Sequence, residues 1–465
     1  MTSTDGLATP ARYYAMSVVI LGITMAVLDG TIVNLALPGI ARDLQASAAQ
    51  SIWVVNAYQI ATLSLLLPFA TLGDIIGYRR VYLAGVLLFT LASLGCAFAN
   101  SLTALALTRA VQGMGAAGIM SVNTALVRLI YPKEHLGKGI ALNSMVVAAA
   151  SVAGPSVAAG VLSIAHWPWL FAINLPLGIG VLVLGFYSLP GNSITRSANA
   201  QLSGQDVLLN MLMFSLVFMG ADALGAHRDT SPRVFSAMGG VIMLLAGVAI
   251  GVIYLRRQLR QPLPVFPVDL LRIPVFRLSM CTSITAFAAQ MLTYIVLPFL
   301  FLDAYGRTPL AAGLLITAWP LTIVVIAPLV GRMIGRYADG LLGSIGLGIL
   351  SLGLILLAAL PNHPENSAIV WRLVLCGVGF GLFQSPNNHT IVTSAPLNRS
   401  GAASGMLGTA RLTGQTLGAV IVVVIFTVLN AHNGQGPIVA LWLAAFFSAI
   451  ASVFSGLRLR DYSTK

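Results

Sequence analysis

The sequence predicts an all-α membrane protein of fourteen transmembrane helices, arranged as two six-helix halves with two helices inserted between them. Three observations carry this. The 465 residues are 57% hydrophobic and only 8% charged, whereas soluble domains carry about 25% charged residues. Apolar runs of about 20 residues, the length a helix needs to cross a hydrocarbon core, recur along the whole chain. The alternation that a membrane barrel would show is absent.

The spans fall at 14–37, 51–71, 81–99, 102–126, 138–164, 169–189, 207–225, 234–254, 277–301, 310–334, 341–360, 370–393, 402–430 and 438–456. The first is long enough to span and lacks a cleavage site, so it is expected to remain as a membrane helix rather than a leader. A glycine-punctuated charged turn, Gly73-Asp74-Ile75-Ile76-Gly77-Tyr78-Arg79-Arg80, separates spans two and three. In span five, Gly154-Pro155 puts a proline in mid-helix, where it removes a backbone hydrogen bond and favours a bend. Spans seven and eight precede the longest basic loop, Arg256 to Arg277. The chain therefore divides into 1–190, 191–274 and 275–465. Pro68 and the turn after span two have an echo at Pro328, Gly331, Arg332, Gly335 and Arg336 after span ten, the second span of the second half. Two such halves around a midplane site is a layout common among secondary transporters.

An even number of spans puts both termini on one side. Eighteen of the 25 Lys and Arg residues share that side, among them Arg12, Arg79, Arg80, Lys133, Arg196, Arg260, Arg399, Arg458 and Lys465. Five, Arg42, Arg228, Arg233, Arg307 and Arg372, fall on the other, and Arg109 and Arg411 lie inside helices. The positive-inside rule then predicts cytoplasmic termini. The net charge of +12 accordingly reads as topology, not as affinity for nucleic acid. Cys96, Cys281 and Cys376 all sit in apolar segments, which points to packing and to no disulfide or metal framework. No phosphate-binding Walker loop is present, and no cofactor is implied.

The chemistry begins with Asp29, set in an uncharged stretch from Tyr13 to Ala41. A carboxylate at that depth costs about 2.5–3.5 kcal/mol on insertion scales, so it is expected to face a partner or a water-filled path and to exchange a proton. On that cost alone, removing the charge is expected to leave stability intact. Arg109 lies at matching depth in span four, roughly 10–12 Å below the outer surface at ~1.5 Å per residue, and could pair with it. Gly113 and Ala117 share one face of the same span and favour close helix contact. Asn34, Trp53, Tyr58, Gln112, Gln290, Tyr294 and Arg411 are candidates to line a substrate cavity, the aromatic ones by cation–π attraction. Asp74, Arg79, Arg80, Gly154 and Pro155 are candidates for a conformational switch. Asp222, Asp303 and the lone helical His389 are weaker candidates for a second proton carrier.

These residues resemble a family. Leu28-Asp29-Gly30-Thr31-Ile32-Val33-Asn34-Leu35-Ala36-Leu37-Pro38 is similar to the first-helix signature of the 14-helix drug:proton antiporters of the major facilitator superfamily. Trp53-Val54-Val55-Asn56-Ala57-Tyr58, the Asp74 turn, Arg109-x-x-Gln112-Gly113-x-Gly115 and Gly154-Pro155 match further motifs in order. So do Trp167-x-Trp169-Leu170-Phe171-x-Ile173-Asn174-x-Pro176-x-Gly178 and, near the end, Gly401-Ala402-Ala403-Ser404-Gly405 and Thr409-Ala410-Arg411-x-x-Gly414. The chain departs from the pattern at Ala70, at Ile75, and at Ala158 and Ala159, where the family usually carries glycine, arginine and two glycines.

The resemblance implies a major facilitator fold and a proton-coupled efflux antiporter in the cell's inner (cytoplasmic) membrane. It would export lipophilic, often cationic compounds by alternating access, as a monomer, with protons as the coupling ion. Asp29 would bind proton and cation in turn, with Arg109 tuning it. Each proton entering across 100 mV supplies about 2.3 kcal/mol. An uptake permease for a nutrient or organic anion uses the same fold and is the nearest alternative. A non-transporting membrane sensor would need an output domain, and a membrane enzyme would need a catalytic cluster; the sequence offers neither.

Overall fold

The computed structural model describes residues 6–132, 135–191, 203–225, 237–259, 266–361, 364–395, 400–429, 431 and 434–462. Of the basic residues counted above, Lys133, Arg196, Arg228, Arg233, Arg260, Arg399 and Lys465 lie outside this set. Among the described residues, fourteen helices are long and apolar enough to cross a membrane. The first half comprises α1 (Ala11–Asp43), α2 (Ala48–Ile76), α3 (Tyr78–Ala97), α4 (Leu102–Ile130), α5 (Leu136–Ile164) and α6 (Pro168–Ser188). Two helices follow, α7 (Gly204–Gly225) and α8 (Ala237–Gln258). The second half comprises α9 (Pro274–Ala304), α10 (Pro309–Met333), α11 (Asp339–Ala358), α12 (Asn366–Ser394), α13 (Ser400–Val428) and α14 (Gln435–Tyr462).

Local chemistry sets the helix ends. Ser47 and Gln50 form a reciprocal capping box at the start of α2, with hydrogen bonds of 3.1 and 2.9 Å. Ser101 and Thr308 cap α4 and α10 through their hydroxyls. The α2–α3 turn closes at Gly77 with φ of +108°, and the α10–α11 turn passes Gly335 at +83°. Both conformations are open to glycine and strained for other residues. The echo read in the sequence is thus the same backbone device used at corresponding places in the two halves.

Packing repeats in the same way. In the first half α2 packs on α4, α3 on α4 and α6, and α1 on α5 and α6; the second half makes the same contacts with every helix number raised by eight. The halves meet along α5–α10, α2–α13 and α1–α9. The hairpin of α7 and α8 is held by its own helix–helix contact, and α7 lies over α2 and α13, covering one of the two lateral seams. Ile60, Leu63, Leu66, Phe214, Phe218, Leu412 and Val420 form the apolar cluster at that seam.

At the end of the bundle away from the chain termini, one continuous apolar core joins the halves, from Ile32, Leu35 and Val55 to Ile295, Phe299 and Leu315. Toward the terminal end the core divides into a first-half cluster around Tyr82, Ile119 and Leu126 and a second-half cluster around Phe276, Ile391 and Met406. A narrow cleft lies between the halves, lined by Thr31, Asn34 and Leu35 of α1, Ser151 and Pro155 of α5, Tyr294 of α9 and Ile316 of α10.

Candidate functional site

Asp29 is fully buried and does not face the cleft. The residues that do, Thr31 and Asn34, lie two and five positions on. At about 100° per residue they point roughly 160° and 140° away from it. Asp29 instead points into its own half. Its Oδ2 accepts a hydrogen bond from Arg109 Nη1, and its Oδ1 accepts from Gln112 Nε2 and Asn174 Nδ2, each at 2.9 Å. Arg109 also donates from Nε to the Val54 carbonyl at 2.9 Å and from Nη1 to Gln112 Oε1 at 2.6 Å. The second Gln112 amide hydrogen reaches Ser93 Oγ at 2.8 Å. The guanidinium lies 4.2 Å from the Tyr58 ring centroid and 5.6 Å from that of Phe171. A charge pair removed from water is tolerable where its remaining donors and acceptors are met, and this network meets nearly all of them. It ties α1, α2, α3, α4 and α6 together.

The matched depths of Asp29 and Arg109 thus correspond to direct contact. Gln112, expected at a substrate cavity, is wholly buried in this network. Tyr58, another cavity candidate, packs under Arg109 and donates its hydroxyl to the Ala26 carbonyl at 3.2 Å. Asn34 and Tyr294 do line the cleft. Gln290 neighbours the Tyr294 hydroxyl. Trp53, in the first turn of the long segment of α2, is absent from the cleft lining. Arg411 stands beside the cleft, 5.8 Å from the Phe287 ring centroid and within electrostatic reach of the Tyr58 and Tyr294 hydroxyls.

The switch candidates sit at two places. In the α2–α3 turn, Asp74 accepts a hydrogen bond from the Tyr78 hydroxyl at 2.6 Å and, among the described residues, makes no ion pair within 4 Å. Arg79 donates to the Phe186 carbonyl of α6, and Arg80 reaches back across the turn to the Ile76 carbonyl at the end of α2, at 3.5 Å. Asp74 thus meets a tyrosine, while both arginines turn to backbone carbonyls. In α5, Gly154 packs against Thr31 of α1, and the Pro155 carbonyl lies over Gly313 of α10. The small residue missing at Ala159 reappears across the seam. Gly313 faces Ala159, and Ser156 and Thr317 share a hydrogen bond of 2.8 Å beside it.

Of the weaker proton candidates, the Asp222 side chain lies outside the described residues, and Asp303 sits in the last turn of α9. His389 is not alone. It is 45% exposed and pairs through Nδ1 with Asp339 at 2.7 Å.

Two features escaped the sequence reading. Asn174 and Ser93 join the Asp29 network; Asn174 carried a signal, being polar among apolar residues, whereas a helical serine carries almost none. The other is Arg458, counted as an orienting surface charge but only 3% exposed. It donates to Ser279 Oγ and Asn387 Oδ1, both at 2.9 Å, and to Ser455.

Two repeated six-helix halves with a cleft between them define a membrane transport protein. Comparison with known proteins narrows the class. The Major Facilitator Superfamily profile matches residues 19–419. The uncharacterized transporter YebQ of Escherichia coli (strain K12) is 50% identical over 455 residues, covering 98% of this chain and 97% of the relative. The multidrug resistance protein Stp of Mycobacterium tuberculosis is 31% identical, covering 91% of this chain and 75% of its own. A crystal structure of the peptide transporter POT in complex with alafosfalin superposes with a TM-score of 0.70 over 99% of this chain and 97% of that one, at 13% identity, and shows the shared fold. The chain belongs to the Major Facilitator Superfamily.

Proposed function

We propose that this transporter is a proton-coupled antiporter that exports lipophilic compounds across the cell's inner (cytoplasmic) membrane, with both termini cytoplasmic. The observation that carries the reading is the division of α1 into two faces. One face holds Asp29 in a network with α4 and α6; the other supplies Thr31 and Asn34 to the cleft. A proton taken up by Asp29 removes the charge that Arg109, Gln112 and Asn174 all address, and loosens α1 from its half. Cargo in the cleft loads the same helix from the opposite side. Proton and cargo then compete through α1 rather than for one carboxylate. The charge bias supports the orientation, and the relation to Stp supports a drug-like cargo.

The test is transport in proteoliposomes across a panel of lipophilic acids and amines. An imposed pH gradient should drive uphill cargo movement by the wild type. The Asp29→Asn/Arg109→Gln pair, which removes both buried charges together, should still exchange cargo downhill but lose the uphill component. A wild type indifferent to the gradient defeats antiport. A double variant that still pumps places the proton on another residue.

A further inference from the structure

We infer that the cleft selects cargo carrying an acidic group on an aromatic body, with Arg411 of α13 as the residue that binds the anion. The inference deepens the export reading, resting on it for the direction of movement but not for the charge selected.

Three ionised side chains gather around Tyr58: Asp29, Arg109 and Arg411. Asp29 and Arg109 cancel in a closed, buried pair. Arg411 is left over. Among the described residues no carboxylate lies within 4 Å of it, and its guanidinium has Phe287 for company. Arg411 is partly buried, and an arginine cannot relieve burial by giving up its proton. A counter-charge therefore has to come from elsewhere, and the cleft between the halves lies beside it. A cationic cargo would meet Arg411 as a like charge and would find Asp29 already sealed.

The walls suit an aromatic body. Tyr294 lines the cleft and stacks edge-on with Trp319 at 5.2 Å between centroids. Trp319 in turn meets Phe380, and Phe380 meets Phe287, at 6.4 and 5.5 Å. Polar handles are left open as well. Asn34, 7% exposed and part of the lining, has its side-chain oxygen unpartnered, and so is the buried indole N–H of Trp319. Unmet polar atoms in a buried site are costly unless something binds them. A planar acid with a further hydrogen-bonding group would answer the guanidinium and the open amide oxygen together.

The experiment compares binding of 1-naphthaleneacetate and 1-naphthalenemethylamine, one acidic and one basic on the same ring, to the full-length protein in lipid nanodiscs by equilibrium dialysis. The wild type should bind the acid about tenfold more tightly, the scale of one charge-assisted hydrogen bond. Arg411→Met, which replaces a partly buried charge by an apolar chain of similar length, should abolish the preference. Arg411→Lys should retain a preference for the acid. A wild type without acid preference overturns the assignment, whatever the variants do. So does a preference that survives intact in Arg411→Met. If the acid preference holds while gradient-driven transport fails, the export reading falls and the charge assignment stands.

Discussion

The two halves of this transporter each hold one arginine in a buried polar network, and the two networks tie together overlapping sets of corresponding helices. Arg109 links the first, second, third, fourth and sixth helices of its half through Asp29, the Val54 carbonyl, Ser93, Gln112 and Asn174. Arg458 links the first, fourth and sixth helices of the other through Ser279, Asn387 and Ser455, and Ser455 carries the chain on to the Gly340 carbonyl of the third. The networks lie at different depths, Asp29 just past the middle of α1 and Ser279 in the second turn of α9, nearer the terminal end. They differ in one component. The first contains a carboxylate. In the second the nearby carboxylate, Asp339, is 17% exposed and engaged with His389 and Thr390, so Arg458 rests on neutral acceptors. One packing frame therefore serves two purposes: a switchable ion pair in one half and a fixed polar pin in the other.

The comparison can be broken at its strongest point first. Asp29→Asn leaves Arg109 charged and buried without its partner, and should cost about 3–5 kcal/mol in unfolding measured in detergent. A cost near zero would mean that the pair holds nothing together. Arg109→Gln should cost distinctly less, about 1–3 kcal/mol, because a carboxyl group can take up a proton whereas a guanidinium cannot shed one. Combining the two should recover part of the loss, with a coupling of about 2 kcal/mol in the double-mutant cycle. Strict additivity would show two independent residues.

Arg458→Gln should cost about 1–2 kcal/mol, since only neutral hydrogen bonds are lost, and should leave the pH dependence of transport unchanged. A shifted pH profile in that variant would make the second network a partner in coupling. Ser93→Ala removes one acceptor from Gln112 and should cost about 1 kcal/mol. Smallest of all, His389→Gln should change stability by less than about 0.5 kcal/mol, because its pairing with Asp339 is solvent-screened.

The sequence by itself determined the class, the number and order of the helices, and the charge bias, because hydrophobic length and loop chemistry are local properties. It also located the Asp29–Arg109 pair by depth, since depth is a count of residues from a helix end. The repeated turn at Gly77 and Gly335 was legible for the same reason: a left-handed residue asks for glycine wherever it falls. What it could not determine was rotation. Whether Asp29 faced the cleft or its own half depended on how α1 packs against α4 and α6, and that choice reassigned Gln112 and Tyr58 from the cavity to the network. It also reversed the expected effect of neutralising Asp29, from harmless to costly, because Arg109 proved to be its partner. Arg458 shows the same limit. Near a helix end it reads as a surface charge, and only the approach of α9, α11 and α12 buries it. A lone carboxylate in an apolar run announces that it needs a partner; which partner, and on which face, is decided by neighbours far away in the chain.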